Sequence, residues 1–147
     1  MRALTLWRPW HFAFLYLAED PKRVENRPWR PWPHAIGKRI ALHAGKHYDA
    51  EAARLIGCED DPRGRLQGIV GTAVVKGWIH YTDDFAYSNT ISLDEAQRAA
   101  ASRWFFGPYG WLLDDVRVLD EPIPCSGALG LWHVPHAIEL ELLESPP

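Results

Sequence analysis

Twelve prolines in 147 residues, four of them between positions 21 and 33, limit this chain more than any other feature. Each fixes φ and lacks an N–H donor, so a helix interior does not accommodate it. The pattern argues against a helical bundle and for strands joined by shaped loops. The length suits one domain with a real core. A hydrophobic content of 47% with 24% charged residues is ordinary for a folded soluble protein. Tryptophan is not ordinary: there are eight, and Trp7, Trp10, Trp29 and Trp32 fall in the first 32 residues.

Local patterns divide the chain further. Residues 2–7 predict a strand closed by Arg8-Pro9, and Pro9 suits the first turn of a largely buried helix over 11–18. Glu19-Asp20-Pro21 breaks that helix. Residues 38–44 alternate as a strand, Asp49 caps a helix over 50–56, and Gly57 stops it. Residues 68–75 are β-rich and extend through 78–81, with Gly71 marking a bulge or a close backbone approach. After a polar excursion, Ser92 caps a helix over 93–103 with Glu95 placed for a capping box. An aromatic turn at 104–110 precedes strand residues 111–113 and 116–119, a last strand at 127–134 and a short helix at 136–143. The sum is an α+β chain of about five or six strands with two or three peripheral helices, most economically a small mixed β-barrel.

The net charge of −3 conceals an asymmetry. Residues 1–47 carry nine Lys/Arg against three acids, or +6, and the remainder carries seven against sixteen, or −9. A basic, Trp-rich portion on an acidic protein points to a local anionic ligand, a nucleotide or part of a single strand, rather than to duplex coating. Cys58 and Cys125 are isolated and lack CxxC spacing, so neither a zinc site nor a disulfide framework is expected, and a reduced cytoplasmic compartment is the default. No window approaches the roughly 18 apolar residues of a membrane helix, so neither signal peptide nor membrane partner is expected. HExxH, P-loop and GxGxxG patterns are missing and the seven histidines are scattered, so no metal or cofactor is expected.

The densest chemistry is Lys22-Arg23-Val24-Glu25-Asn26-Arg27, followed at once by Pro28-Trp29. If Val24–Asn26 is extended, Glu25 and Arg27 point the same way, which sets a proton acceptor beside a fixed fork of donors. Taken alone, such a run reads more readily as a surface loop of solvated charges.

Six ordered motifs give it more weight. They are Leu-Thr-Leu-Trp-Arg-Pro-Trp at 4–10, Lys-x-x-Glu-Asn-Arg-x-Trp at 22–29, Ile-Ala-Leu-His-Ala-Gly-Lys at 40–46, Gly-Ile-Val-Gly at 68–71, Trp-Phe-Phe-Gly-Pro-Tyr-Gly-Trp at 104–111 and Gly-Ala-Leu-Gly-Leu-Trp at 127–132. Together, over residues 3 to about 134, they resemble the ASCH (activating signal cointegrator homology) domain of the PUA-like superfamily. The resemblance implies a PUA-like β-barrel with a cleft for RNA or a nucleotide. The family signature Gly-x-Lys-x-x-Glu-x-Arg falls on Lys22, Glu25 and Arg27. Its leading Gly is Asp20 here, a residue that accepts φ > 0 more readily than most. Some relatives are amidohydrolases of N4-acetylcytidine, with Thr in the place of Glu25, and another resembles a metal-assisted ribonuclease.

Each candidate residue has two readings. Glu25 is a general base or an acceptor from a base edge; alternatively it pairs with Arg27 and merely orders the loop. Lys22 offers a point charge to phosphate or to an oxyanion, and Arg27 a bidentate phosphate contact. Lys46 is a phosphate contact after a strand, with Gly45 permitting close ligand approach. His43 is a ligand or proton shuttle, or a satisfied core histidine. Trp7, Pro9, Trp10 and Trp29 form a stacking platform or pack in the core. Arg23 is expected to be solvated. The functions in competition are a binder of RNA or a modified nucleotide, a hydrolase on the same ligands with Glu25 and Lys22 catalytic, and a protein-interaction adaptor.

Overall fold

The computed structural model describes residues 1–144. The fold is mixed α+β. In chain order the elements are β1 (Arg2–Arg8), α1 (Trp10–Leu15), β2 (Val24–Arg27), β3 (Arg39–Tyr48), α2 (Ala50–Ile56), β4 (Gly68–Tyr81), β5 (Phe85–Tyr87), α3 (Leu93–Ala100), β6 (Tyr109–Ile123), β7 (Leu131–His133) and α4 (His136–Glu144). Hydrogen-bonded strand order is β2-β6-β4-β3-β1-β7, with β5 on β4. The seven strands among the described residues exceed the expected five or six: β2 forms within the charge run and β5 within the polar excursion. Among the described residues no helix is long and apolar enough to cross a membrane.

Several elements form as their local signals dictate. The Asp49 side chain accepts from the Ala52 N–H at the start of α2, and Gly57 ends that helix at φ 83°. Ser92 and Glu95 complete a reciprocal capping box on α3. Others differ. Helix α1 stops at Leu15 rather than Ala18, because Tyr16 caps it at φ −123°, outside helical space, and the turn beyond holds Asp20 at φ 46°. Residues 127–129 are not strand: β7 pairs with β1 only over Leu131–His133, after Gly130 at φ 65°. Strand β6 runs unbroken through Asp115, which takes φ 45°, and past Pro122.

The chain divides into two compact units, and the division falls inside β4 and inside β6. Unit 1 comprises residues 1–21, 39–73 and 116–147. In it β1 runs parallel to β3 and antiparallel to β7. Its core gathers Ala3, Ala41, Ile69, Ile123, Val134 and Leu142. Unit 2 comprises residues 22–38 and 74–115. Here β2 lies antiparallel on β6, and Val24, Ile79, Ile91, Ala96 and Ala99 form the core.

Candidate functional site

The candidate residues fall in both units. Lys22, Glu25, Arg27 and Trp29 belong to unit 2, and Trp7, Pro9, Trp10, His43 and Lys46 to unit 1. Each group is described within its own unit.

In unit 2, β2 pairs Glu25 with Trp111 and Arg27 with Tyr109. Directly opposed residues of an antiparallel ladder share a face, so the carboxylate, the guanidinium and both rings lie together. Arg27 donates from Nε (3.1 Å) and Nη2 (2.9 Å) to Glu25 Oε2. Lys22 sits 3.5 Å from Glu25 Oε1 and also donates to the Val24 carbonyl. Both carboxylate oxygens are therefore engaged by cations. Lys22 is 2% exposed and Glu25 12%, against 23% for Arg27. Burial pushes the Lys22 ammonium below the ordinary lysine range, Glu25 pulls it back up, and Arg27 adds to the depression. The charge run is thus an internal three-residue cluster rather than a solvated loop. Arg23 is also half-buried: its guanidinium caps the Lys22 carbonyl at 2.8 Å, and burial lowers its pKa against the pull of Asp114.

Aromatic rings extend this face. His80 stacks on Tyr109 at 4.2 Å and 19°, Trp78 meets the same ring edge-on at 5.9 Å, and the Arg30 guanidinium lies 5.4 Å from the Trp78 ring. The buried Trp111 donates its indole N–H to the Trp29 carbonyl (2.8 Å), while the Trp29 ring is 64% exposed. Neither Trp78 nor His80 stood out in sequence. The available signal was the alternation of half-buried Val74, Lys76, Trp78 and His80 with buried Val75, Gly77 and Ile79 along β4.

Asn26 was missed altogether. Its Nδ2 donates to the Trp104 carbonyl (2.8 Å), and its Oδ1 accepts from the N–H groups of Phe106 (2.7 Å) and Gly107 (3.1 Å). One amide therefore fixes the aromatic turn that precedes β6. Gly110 is required beside it, since a Cβ there would stand 2.7 Å from Val24 Cγ1 and 2.9 Å from Phe105.

In unit 1, His43 is 3% exposed and fully engaged. The Cys125 carbonyl can only accept, so His43 Nε2 carries a proton and donates to it at 2.7 Å. Nδ1 lies within hydrogen-bond distance of the Thr5 hydroxyl (3.2 Å), and that hydroxyl accepts from the Trp132 indole N–H (2.9 Å). This relay makes His43 a satisfied interior histidine that anchors the loop after Pro124. Lys46 is exposed and lines a cavity of about 500 Å³ together with His43 and Thr5. Trp7 is 58% exposed, with its ring 4.0 Å from that of His47. Pro9 is buried and its carbonyl accepts the first helical bond, from Phe12 (2.8 Å). Trp10 is half-buried. Behind it, His11 is fully buried with Nε2 on the Arg63 carbonyl (2.8 Å), and burial lowers its pKa.

Among the described residues no cluster of three or more His, Cys, Asp or Glu is placed to hold a metal, and both cysteines are free thiols. No protein-family model and no curated protein matches this sequence.

Proposed function

We propose that this chain is a cytoplasmic RNA- or nucleotide-binding module of ASCH type, with a PUA-like barrel, and that the ligand lies on the β2/β6/β4 face of unit 2. One observation carries the reading: the Glu25–Arg27 pair shares a sheet face with Trp111 and the stacked Tyr109/His80 rings. A base would stack on the rings, and Arg27 would meet phosphate while Glu25 holds its fork in place. Asp20 supports the family reading, because it adopts the positive φ that the signature glycine would supply. With both Glu25 oxygens engaged, binding is favoured over general-base catalysis.

The test is titration of cytidine 5′-monophosphate and a short single-stranded RNA, followed by tryptophan fluorescence at several salt concentrations. Tyr109→Ala should weaken binding by about tenfold or more, within the usual worth of one base–aromatic stack. Arg27→Ala should weaken it and flatten its salt dependence. Unchanged affinity in both variants would refute this reading and leave the exposed rings of Trp29 and Phe106 to a protein partner.

A hydrolase is the second reading, favoured by the buried Lys22 beside Glu25, since lysines whose pKa is lowered by burial next to a charge partner occur at reactive sites. It requires turnover of an acetylated cytidine or of RNA that Glu25→Gln abolishes while binding persists.

A further inference from the structure

The cavity of unit 1 is built from residues that the unit 2 face does not use, and its chemistry is different. We infer that it binds a small molecule joining an oxyanion, phosphate or carboxylate, to a compact apolar body. Its volume of about 500 Å³ lies in the usual range for small-molecule sites. No aspartate or glutamate lines it, although the protein carries a net charge of −3. Lys46 is the one Lys or Arg of the lining, and among the described residues its ammonium has no ion-pair partner. A lone ammonium in an acid-free lining favours an anion.

The loop that also lines the cavity carries further donors. Residues 126–129 line the cavity, and among the described residues the backbone N–H groups of Ser126, Gly127 and Ala128 have no hydrogen-bond partner. Successive free N–H groups in a loop are suited to an anion. The loop is also held firmly. His43 grips the Cys125 carbonyl, and Gly127 packs so closely that a Cβ would lie 2.7 Å from both His43 Cε1 and Thr5 Oγ1. On the apolar side stand Ala44, Ala128 and Leu129, whose side chain is 98% exposed, an arrangement with an obvious use if an apolar body covers it.

The inference does not depend on the nucleotide reading of unit 2, and a residue-resolved measurement separates the two. The ¹⁵N-labelled full chain is titrated with phenyl phosphate, benzoate and the neutral benzyl alcohol, and amide shifts are followed. Phenyl phosphate, benzoate or both should saturably shift Lys46 and residues 126–129, and which one binds tighter identifies the oxyanion. Lys46→Glu should abolish these shifts and Lys46→Gln should weaken binding by about tenfold, the low end for a charge-assisted hydrogen bond. Lys46→Arg should retain it. Absence of saturable shifts with both anions, shifts unaltered in Lys46→Glu, or equal binding of benzyl alcohol would each overturn the proposal. Shifts confined to residues 22–29 and 109–111 would overturn it too, while leaving the unit 2 reading intact.

Discussion

Replacing Glu25 by glutamine tests the central cluster most directly, because it removes one charge and almost no volume. Lys22 is 2% exposed and Glu25 12%, so the pair is effectively interior. Removing one partner of a buried pair typically costs about 3–5 kcal/mol, because the other charge is left without compensation. The lower end applies here, since Lys22 keeps its bond to the Val24 carbonyl and the glutamine oxygen still accepts from one cation. About 3 kcal/mol in a chain of this size corresponds to a fall in Tm of about 10 °C. Circular dichroism melts at fixed ionic strength read it.

Two further measurements distinguish an interior charge from a loosened loop. Lys22→Met/Glu25→Gln removes the stranded ammonium as well, so the double variant should melt above Glu25→Gln alone, a positive coupling in the mutant cycle. The second is pH. Lys22 has a folded-state pKa below the ordinary value of about 10.4. Between those two values the unfolded chain binds more protons, so stability rises with pH in that window and falls as pH drops through the folded value. Taking away the Glu25 charge removes what raises the Lys22 pKa, so the window widens toward neutrality and the alkaline-side slope persists to lower pH. A Tm within about 2 °C of wild type, or a double variant no better than Glu25→Gln, would refute the buried-pair account.

Two other perturbations follow from single hydrogen-bonding centres. Asn26→Asp keeps an oxygen for the Phe106 and Gly107 N–H groups but turns the second oxygen toward the Trp104 carbonyl; its carboxyl pKa should rise, so chemical denaturation should show stability retained at low pH and lost as pH rises through that raised value. Thr5→Val removes the hydroxyl between Trp132 and His43 without changing shape; two interior polar groups lose their partner, and urea titration should show a loss of about 2–3 kcal/mol with m unchanged.

What was readable in the sequence was whatever is decided within a few residues. Asp49 and Gly57 bracket α2, and Ser92 with Glu95 starts α3, because both ends of each interaction lie in one turn. The shared face of Glu25 and Arg27 was legible for the same reason, as period two is a property of any strand. Asp20 belongs here as well, since its tolerance of positive φ is intrinsic. By contrast, nothing inside residues 24–27 announces a strand: only Val24 is apolar. Its strand character comes from β6, where Leu112 and Trp111 lie opposite Val24 and Glu25. The same holds for the last strand, whose extent is set by the pairing of Leu131–His133 with β1 after Gly130 at φ 65°.

This difference also explains why the charge run misleads when read alone. Three cations and one carboxylate in six residues have the composition of a solvated loop, and water would solvate them equally well in an isolated peptide. Two partners move them inside. Asn26 ties the run to the aromatic turn across 78 to 81 positions, and β6 then lays Trp111 and Tyr109 along Glu25 and Arg27. Once water is excluded by those rings, Lys22 and Arg27 can be retained only by pairing with Glu25. The carboxylate is consequently what allows a basic segment to be built into a sheet at all, and Arg27, the most exposed of the three, is what it leaves at the surface for a ligand.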